Sequence, residues 1–302
     1  MEASMILSIG EILADMIGEK ENGNTVYRMF CGGAPFNVAF NAAKSGAKTA
    51  FIGNVGDDVI GRELKSIAQN TPIGDVRIGL DRERNTTLAF VSVSEKGERD
   101  FTFFRKGTAD YNLDADAIDL SEYEGLEIVH LGSLMFSEKE GRRFASKIIK
   151  KVKDGKYLLS IDANFRMDLY DSVEEAVEAY KPFIEKADIL KFSDDEILDY
   201  TGAESIEKGA ESLVKPGRLL AVTMGNKGSM LWFDGKKYIV PPSEAVEPVD
   251  TTGAGDAFYG ALLARIDEKG YRNLTIGDVI KAFEYANKKG GEATLHKGAI
   301  QL

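Results

Sequence analysis

Near the C-terminus, Asp250-Thr251-Thr252-Gly253-Ala254-Gly255-Asp256 runs directly into the apolar stretch Ala257-Phe258-Tyr259-Gly260-Ala261-Leu262-Leu263-Ala264. Gly253 and Gly255 let the backbone approach a ligand closely, and the first-turn amides of the helix that follows would point at negative charge. A carboxylate at Asp256 could take a proton from a hydroxyl while those amides stabilise charge on a transferring phosphoryl group. Asp is also a favoured N-cap, whose oxygen satisfies an orphan N–H, and the residues alone leave both roles open. Capping by itself does not call for Gly253, Ala254 and Gly255 ahead of the acid.

Other polar residues fall where a strand gives way to a turn. Asp15, in Gly10-Glu-Ile-Leu-Ala-Asp15, follows the first apolar run, at the place where open α/β sheets carry ligand-binding loops. It also reads as a solvated loop acid. Gly32-Gly33-Ala34-Pro35-Phe36-Asn37 opens a helix, and the glycines could be only the tight turn before Pro35. Asp162-Ala163-Asn164-Phe165-Arg166 ends another strand, either as a turn or as a polar site; a guanidinium at Arg166 could fork onto two carboxylate oxygens. Ser193 to Glu196 has the spacing of a capping box. Thr223-Met224-Gly225-Asn226-Lys227-Gly228 has the form of a β-turn, and Asn287 lies on a helix facing solvent.

The elements that must hold these residues alternate short apolar runs with longer amphipathic ones. Strands are predicted at Met5–Ile9, Thr49–Gly53, Ile128–Ser133, Tyr157–Ile161, Ile189–Phe192, Leu219–Thr223 and Ser229–Phe233. Helical spacing covers Asn37–Ser45, Gly61–Gln69, Glu138–Lys151, Val173–Lys186, Ser205–Leu213 and Ile276–Lys288. This alternation predicts an α/β fold, a mostly parallel sheet with helices on both faces. Residues 85–106 differ: two β-rich runs flank Glu95-Lys-Gly-Glu98 as a hairpin with a glycine turn. With 14–30, also strand and turn, the hairpin could form a small sheet outside the main core. No repeat or Pro-rich linker divides the chain, so a single domain over 1–302 is expected.

Composition narrows the class. The 302 residues are 43% hydrophobic and carry a net charge of −11, which opposes non-specific nucleic-acid binding. A single cysteine, Cys31, excludes an intrachain disulfide and fits a reducing cytoplasm. The chain enters its first strand without a basic leader, and no run approaches the ~20 apolar residues a bilayer requires, so a soluble, untargeted protein is expected. Neither a G-x-x-x-x-G-K-[ST] loop nor a G-x-G-x-x-G turn after a strand is present, which removes support for P-loop kinases and dinucleotide dehydrogenases. His130, in an apolar strand, reads as core, and neither it nor His296 suggests a zinc or catalytic site.

Asp250 to Asp256 resembles the D-T-x-G-A-G-D signature of the ribokinase-like (PfkB) carbohydrate kinases in full. A second family signature is matched by Gly32–Ala39 followed by Asn54-Val55-Gly56-Asp57-Asp58-Val59-Ile60-Gly61. The resemblance implies a three-layer α/β/α core with a small β-sheet lid formed by insertions at about 14–30 and 85–106. It implies that Asp256 is the base, with the amides of Gly253 to Asp256 as an anion hole, and that Asp15, Gly32, Gly33 and Asn37 hold sugar hydroxyls. Phe103-Phe104-Arg105-Lys106-Gly107-Thr108-Ala109-Asp110 is similar to the F-Y-R-x-x-S-A-D stretch of bacterial fructokinases, with Phe104 for Tyr and Thr108 for Ser, and so places Phe104 and Arg105 on the sugar side. Arg166, from the family's D-x-N-x-R, would reach toward substrate and Asn164 toward the phosphates. For ATP the resemblance implies Ser193, Glu196, Thr223, Gly225, Gly228, Gly255 and Asn287. Ser193 stands where the family has Asn, Glu196 would organise water around Mg²⁺, and Asp250 and Thr252 would flank a monovalent cation such as K⁺. The expected activity is transfer of the γ-phosphoryl group of ATP to a primary hydroxyl of a ketohexose, fructose giving fructose 6-phosphate. A 2-keto-3-deoxygluconate kinase and a non-catalytic sugar or nucleotide sensor are the alternatives. An exposed lid sheet could also pair with a second copy.

Overall fold

Strands apolar on both alternations must be covered on both faces, and the chain meets this demand with helices cut from the segments between them. The computed structural model describes residues 4–93, 99–243 and 247–301. In chain order the elements are β1 (Met5–Ile9), β2 (Leu13–Glu21), β3 (Asn24–Gly32), α1 (Ala34–Lys44), β4 (Lys48–Gly56), α2 (Val59–Gln69), β5 (Asp75–Asp81), β6 (Leu88–Val93), β7 (Arg99–Phe104) and β8 (Leu126–Leu131). There follow α3 (Lys139–Asp154), β9 (Leu158–Asp162), α4 (Val173–Ile184), β10 (Ile189–Ser193), α5 (Asp194–Thr201), α6 (Ile206–Leu213), β11 (Leu219–Thr223), β12 (Ser229–Phe233), β13 (Lys236–Val240), α7 (Ala254–Lys269) and α8 (Ile276–Ala293).

Nine strands form one sheet in the order β13-β12-β11-β10-β9-β8-β1-β4-β5. Neighbours are parallel throughout except at β12, which is antiparallel to both β11 and β13. Side-chain alternation divides the core in two. Ile6, Ile128, Ile189 and Leu219 face α1, α7 and α8, whereas Leu7, Val129, Leu190 and Leu220 face the layer built on α3, α4 and α5. Helix α7 is buried along most of its length because it lies between the sheet and its neighbours α1 and α8, which is why its sequence shows no polar stripe.

A second sheet of four strands, β3-β2-β6-β7, comes from residues 13–32 and 88–104. β6 and β7 pair antiparallel from Leu88 opposite Phe104 to Val93 opposite Arg99, while the expected glycine turn at Glu95–Glu98 lies outside the described residues. Asp15 is displaced from its expected loop: it is the third residue of β2, opposite Phe30 of β3, because the short turn after β1 leads at once into this sheet. Two strands not anticipated from sequence, β5 and β13, are sheet edges whose residues are mostly half-buried or exposed, so their hydrophobic period is faint. Among the described residues no helix is long and apolar enough to cross a membrane.

Candidate active site

The carboxyl ends of β9, β10 and β11, the residues just after β1, and the N-terminus of α7 converge on one cleft of about 370 Å³. This is where an open α/β sheet leaves its loops and helix starts uncovered. A second cavity of about 520 Å³ adjoins it and shares Thr223, Thr251 and Gly255 in its lining. The two meet at the first turn of α7.

Gly253 caps α7 in the left-handed region at φ 76°, and a β-carbon there would stand 2.6 Å from that of Ala299. The N-cap has no side-chain hydrogen bond, so Asp256 is not the cap but sits in the first turn, its carboxylate freed for other work. Ala254 N–H donates to Thr251 O at 3.3 Å, and Ala257 N–H donates to Gly253 O at 2.8 Å. The intervening amides of Gly255 and Asp256 are orphan donors of the helix start and stand at the cleft. Asn37 Nδ2, from α1, donates to Asp256 Oδ2 at 2.8 Å. Burial and then the nearby Asp162 charge push the Asp256 carboxyl up to about 7, against Asn37, Lys191 and Arg166, which favour its ionised form. The residue as a whole is half-buried and lines the cleft.

Parallel register places Lys191 of β10 beside Asp162 of β9, and Lys191 Nζ donates to both carboxylate oxygens at 2.9 and 2.7 Å. Burial pulls the ammonium down, but the Asp162, Glu196 and Asp256 carboxylates outweigh it and leave the group raised. A β-carbon on Gly255 would lie 3.3 Å from this Nζ, so the ammonium sits directly beneath the anion-binding turn. Lys191 was not singled out from sequence, and Asp162 only as the first residue of the Asp162–Arg166 stretch, without a role of its own. The available signal was a charged residue inside the otherwise apolar run Ile189–Phe192, since an ionisable group is not buried in a strand without a partner. Glu11, just past β1, is a third cleft residue missed in the same way: it is 2% exposed, and burial pushes its carboxyl up to about 8.

Asp15, Gly33, Asn37, Asn164, Arg166, Ser193, Glu196, Thr223, Thr252, Gly253, Gly255 and Asp256 all line the main cleft. Gly33 (φ 111°) is needed because a β-carbon would meet Glu11 O at 2.5 Å, and one on Gly32 would lie 2.1 Å from Asp15 Oδ2. Asn164 holds a left-handed φ of 36°, a conformation Asn tolerates best among residues with a side chain, and its N–H donates to Asp162 Oδ1 at 3.3 Å. Ser193 and Glu196 do form the capping box, with Ser193 N–H donating to Glu196 Oε2 at 2.8 Å; burial raises the Glu196 carboxyl against the opposing pull of Lys191. Gly225, Gly228 and Asn287 line the adjoining cavity, where Asn287 Nδ2 donates to Pro241 O at 2.8 Å.

Two expected sugar contacts stand elsewhere. Phe104 is 58% exposed, packed edge-on to Phe90 at 5.2 Å, and strand alternation gives the cleft Phe103 instead. Arg105 is buried but outside the lining: Nε donates to Asp110 Oδ2 at 2.9 Å and Nη1 to Ser137 Oγ at 2.5 Å. Asp110 is only 2% exposed and needs that partner, which fixes the arginine outside the cleft lining.

Oxygen atoms that could hold a monovalent cation lie beside the first turn of α7. Asp250 Oδ1 accepts from Thr252 N–H at 2.6 Å and Oδ2 from Gly298 N–H at 3.1 Å, while the buried Thr252 hydroxyl has no hydrogen-bond partner. Hard cations suit such a donor set. Among the described residues no group of three or more His, Cys, Asp or Glu could hold a metal ion.

Fold and site together define an α/β protein with a buried carboxyl, a helix start with open amides and two cavities meeting between them, an arrangement suited to group transfer between two bound molecules. The pfkB family carbohydrate kinase model matches residues 3–302, and the chain belongs to that family. It is 36% identical to the probable fructokinase-5 of Arabidopsis thaliana over 302 residues, covering 98% of this chain and 93% of the relative. A double mutant of the fructokinase of Vibrio cholerae O395, solved with fructose, ADP and potassium ion, superposes with a TM-score of 0.88 at 31% identity, covering 98% of this chain and 94% of that one. A sugar kinase of Pyrococcus horikoshii solved with ATP gives 0.81 at 32% identity, with 97% and 93% covered.

Proposed function

We propose that this carbohydrate kinase transfers the γ-phosphoryl group of ATP to a primary hydroxyl of fructose, giving fructose 6-phosphate. The observation that carries the reading is Asp256, held by Asn37 at the junction of the two cavities, with the amides of Gly255 and Asp256 beside it. The sugar occupies the cleft between Asp15, Gly33, Asn37 and Asp256, and the nucleotide the adjoining cavity along Thr223, Gly225, Gly228 and Asn287. Asp256 accepts the hydroxyl proton as the oxygen attacks the γ-phosphorus, and the first-turn amides, with that of Ala254, receive the charge that develops. Arg166 and the Asp162-held Lys191 add positive potential from the floor of the cleft. Mg²⁺ bound with ATP would neutralise phosphate charge, and Glu196 is the residue placed to organise its water. Asp250 and Thr252 would hold K⁺, keeping the anion turn in shape. The four-stranded sheet covers the sugar end as a lid that limits water and so suppresses ATP hydrolysis. Its outer face, where Tyr27, Phe90 and Phe104 touch, is also where a second copy would pair.

The charge pattern favours a neutral sugar over 2-keto-3-deoxygluconate. The acid-sugar alternative leans on Arg105 and Arg166: Arg105 is closed on Asp110, and Arg166 stays in the cleft, where it faces a lining that also carries the carboxyls of Glu11, Asp15 and Asp256. ADP release with Mg²⁺-ATP, measured against fructose, 2-keto-3-deoxygluconate, ribose and adenosine, tests this: fructose should be turned over best. Turnover of the acid sugar alone would overturn the substrate, and binding without turnover of any sugar would favour the sensor.

A further inference from the structure

We propose that Glu11 is a sugar-binding residue, one carboxyl oxygen of which reads a hydroxyl of the acceptor other than the one phosphorylated. The inference rests on the ketose reading above and extends it to a residue outside the family signatures. Glu11 follows Gly10 at the carboxyl end of β1, and it lines the sugar end of the cleft together with Asp15, Asn37 and Asp256. It is 2% exposed, and its Oε2 has no hydrogen-bond partner. Close backbone approach makes room for it: a β-carbon on Gly132 would stand 2.8 Å from that oxygen, and Gly33 abuts the Glu11 carbonyl.

The surrounding charges do not use this carboxyl. Arg105, the nearest cation acting on it, directs its bonds to Asp110 and Ser137, and Asp110 and Asp256 repel a negative charge there. A buried carboxyl with an uncommitted oxygen is costly in a core, where a leucine or methionine would pack without penalty. Glu11 lines the cleft, so a turn of its side chain would bring this enclosed oxygen to a polyol hydroxyl. Burial, followed by the weaker effects of its neighbours, keeps Glu11 largely protonated at neutral pH, so it can donate as well as accept, which suits a hydroxyl group. A site built to hydrogen-bond a hydroxyl rejects an analogue that lacks it.

The test is kcat/KM for fructose and its 1-, 3- and 4-deoxy analogues with the full-length wild type, Glu11→Gln and Glu11→Leu. In the wild type one deoxy position should cost about ten- to a hundredfold. Glu11→Gln, which keeps a donor and an acceptor, should retain that penalty, and Glu11→Leu should reduce it to about twofold at that position alone while fructose itself becomes correspondingly poorer. If Glu11→Leu does not fold, Glu11→Ala is read in the same way. Uniform penalties in the wild type, or an unchanged pattern in the apolar variants, overturns the role of Glu11 alone. A wild type that phosphorylates no ketose instead overturns the reading on which the role rests.

Discussion

The hydrogen bond from Asn37 to Asp256 should set the pH at which the enzyme gains activity. Asp256 acts as a base only when ionised, and its carboxyl stands at about 7 rather than 3.8, so kcat/KM for the sugar should rise with pH through about 7 in the wild type. Asn37→Ala removes a donor that favours the ionised form at 2.8 Å. A hydrogen bond to a charged group contributes about 1.5–3 kcal/mol, and about 1.36 kcal/mol corresponds to one pKa unit, so the acid limb should move upward by about one to two pH units. Water entering the cleft replaces part of the lost bond, which places the shift in the lower half of that range. The assay is kcat/KM for fructose at saturating Mg²⁺-ATP, from about pH 5.5 to 9.5 at fixed ionic strength. Lost sugar contacts in the variant would lower the whole curve; only the position of the limb reports on Asp256. A wild-type profile that is already flat at the acid end of this range, or a variant limb that does not move, would refute the reasoning.

Other expectations concern packing and charge. Gly260→Ala puts a β-carbon 2.6 Å from Val38 O at the α1–α7 contact and should destabilise by about 1–3 kcal/mol in urea unfolding; a smaller loss would mean the helices separate easily. Lys191→Met leaves the buried Asp162 carboxylate without its partner and should cost about 3–5 kcal/mol, whereas Lys191→Met with Asp162→Asn should recover most of that stability, and equal losses would deny that the two form a coupled pair. If Asp250 and Thr252 hold a monovalent cation, K⁺ should raise the rate several-fold over tetramethylammonium at equal ionic strength, and equal rates would remove the site.

The geometry at the start of α7 was legible because it is local: the glycines, the acid and the apolar helix that follows are contiguous, and only the capping alternative for Asp256 needed coordinates to exclude. The central strands were legible for the same reason, each being an apolar run bounded by turns. β5 and β13 were not, since an edge strand with few buried residues has little periodicity to detect. The sugar wall was only half legible. Which of Phe103 and Phe104 faces the cleft depends on how β7 pairs with β6, and Arg105 is drawn out of the cleft lining by Asp110, five residues on, through a fold-back that spacing does not reveal. Lys191 and Asp162 become partners only once β9 and β10 pair, and Glu11 reaches the same cleft only because β1 lies in that sheet.

The most direct test of the account is phosphoryl transfer to fructose by Asp256→Asn beside the wild type. Loss of the base should lower kcat by about 10²–10⁴-fold with the sugar KM within a few-fold of wild type, since the amide preserves size and the contact with Asn37. A variant that keeps most of its kcat would contradict the assignment of Asp256 as the base, and with it the mechanism built around the first turn of α7.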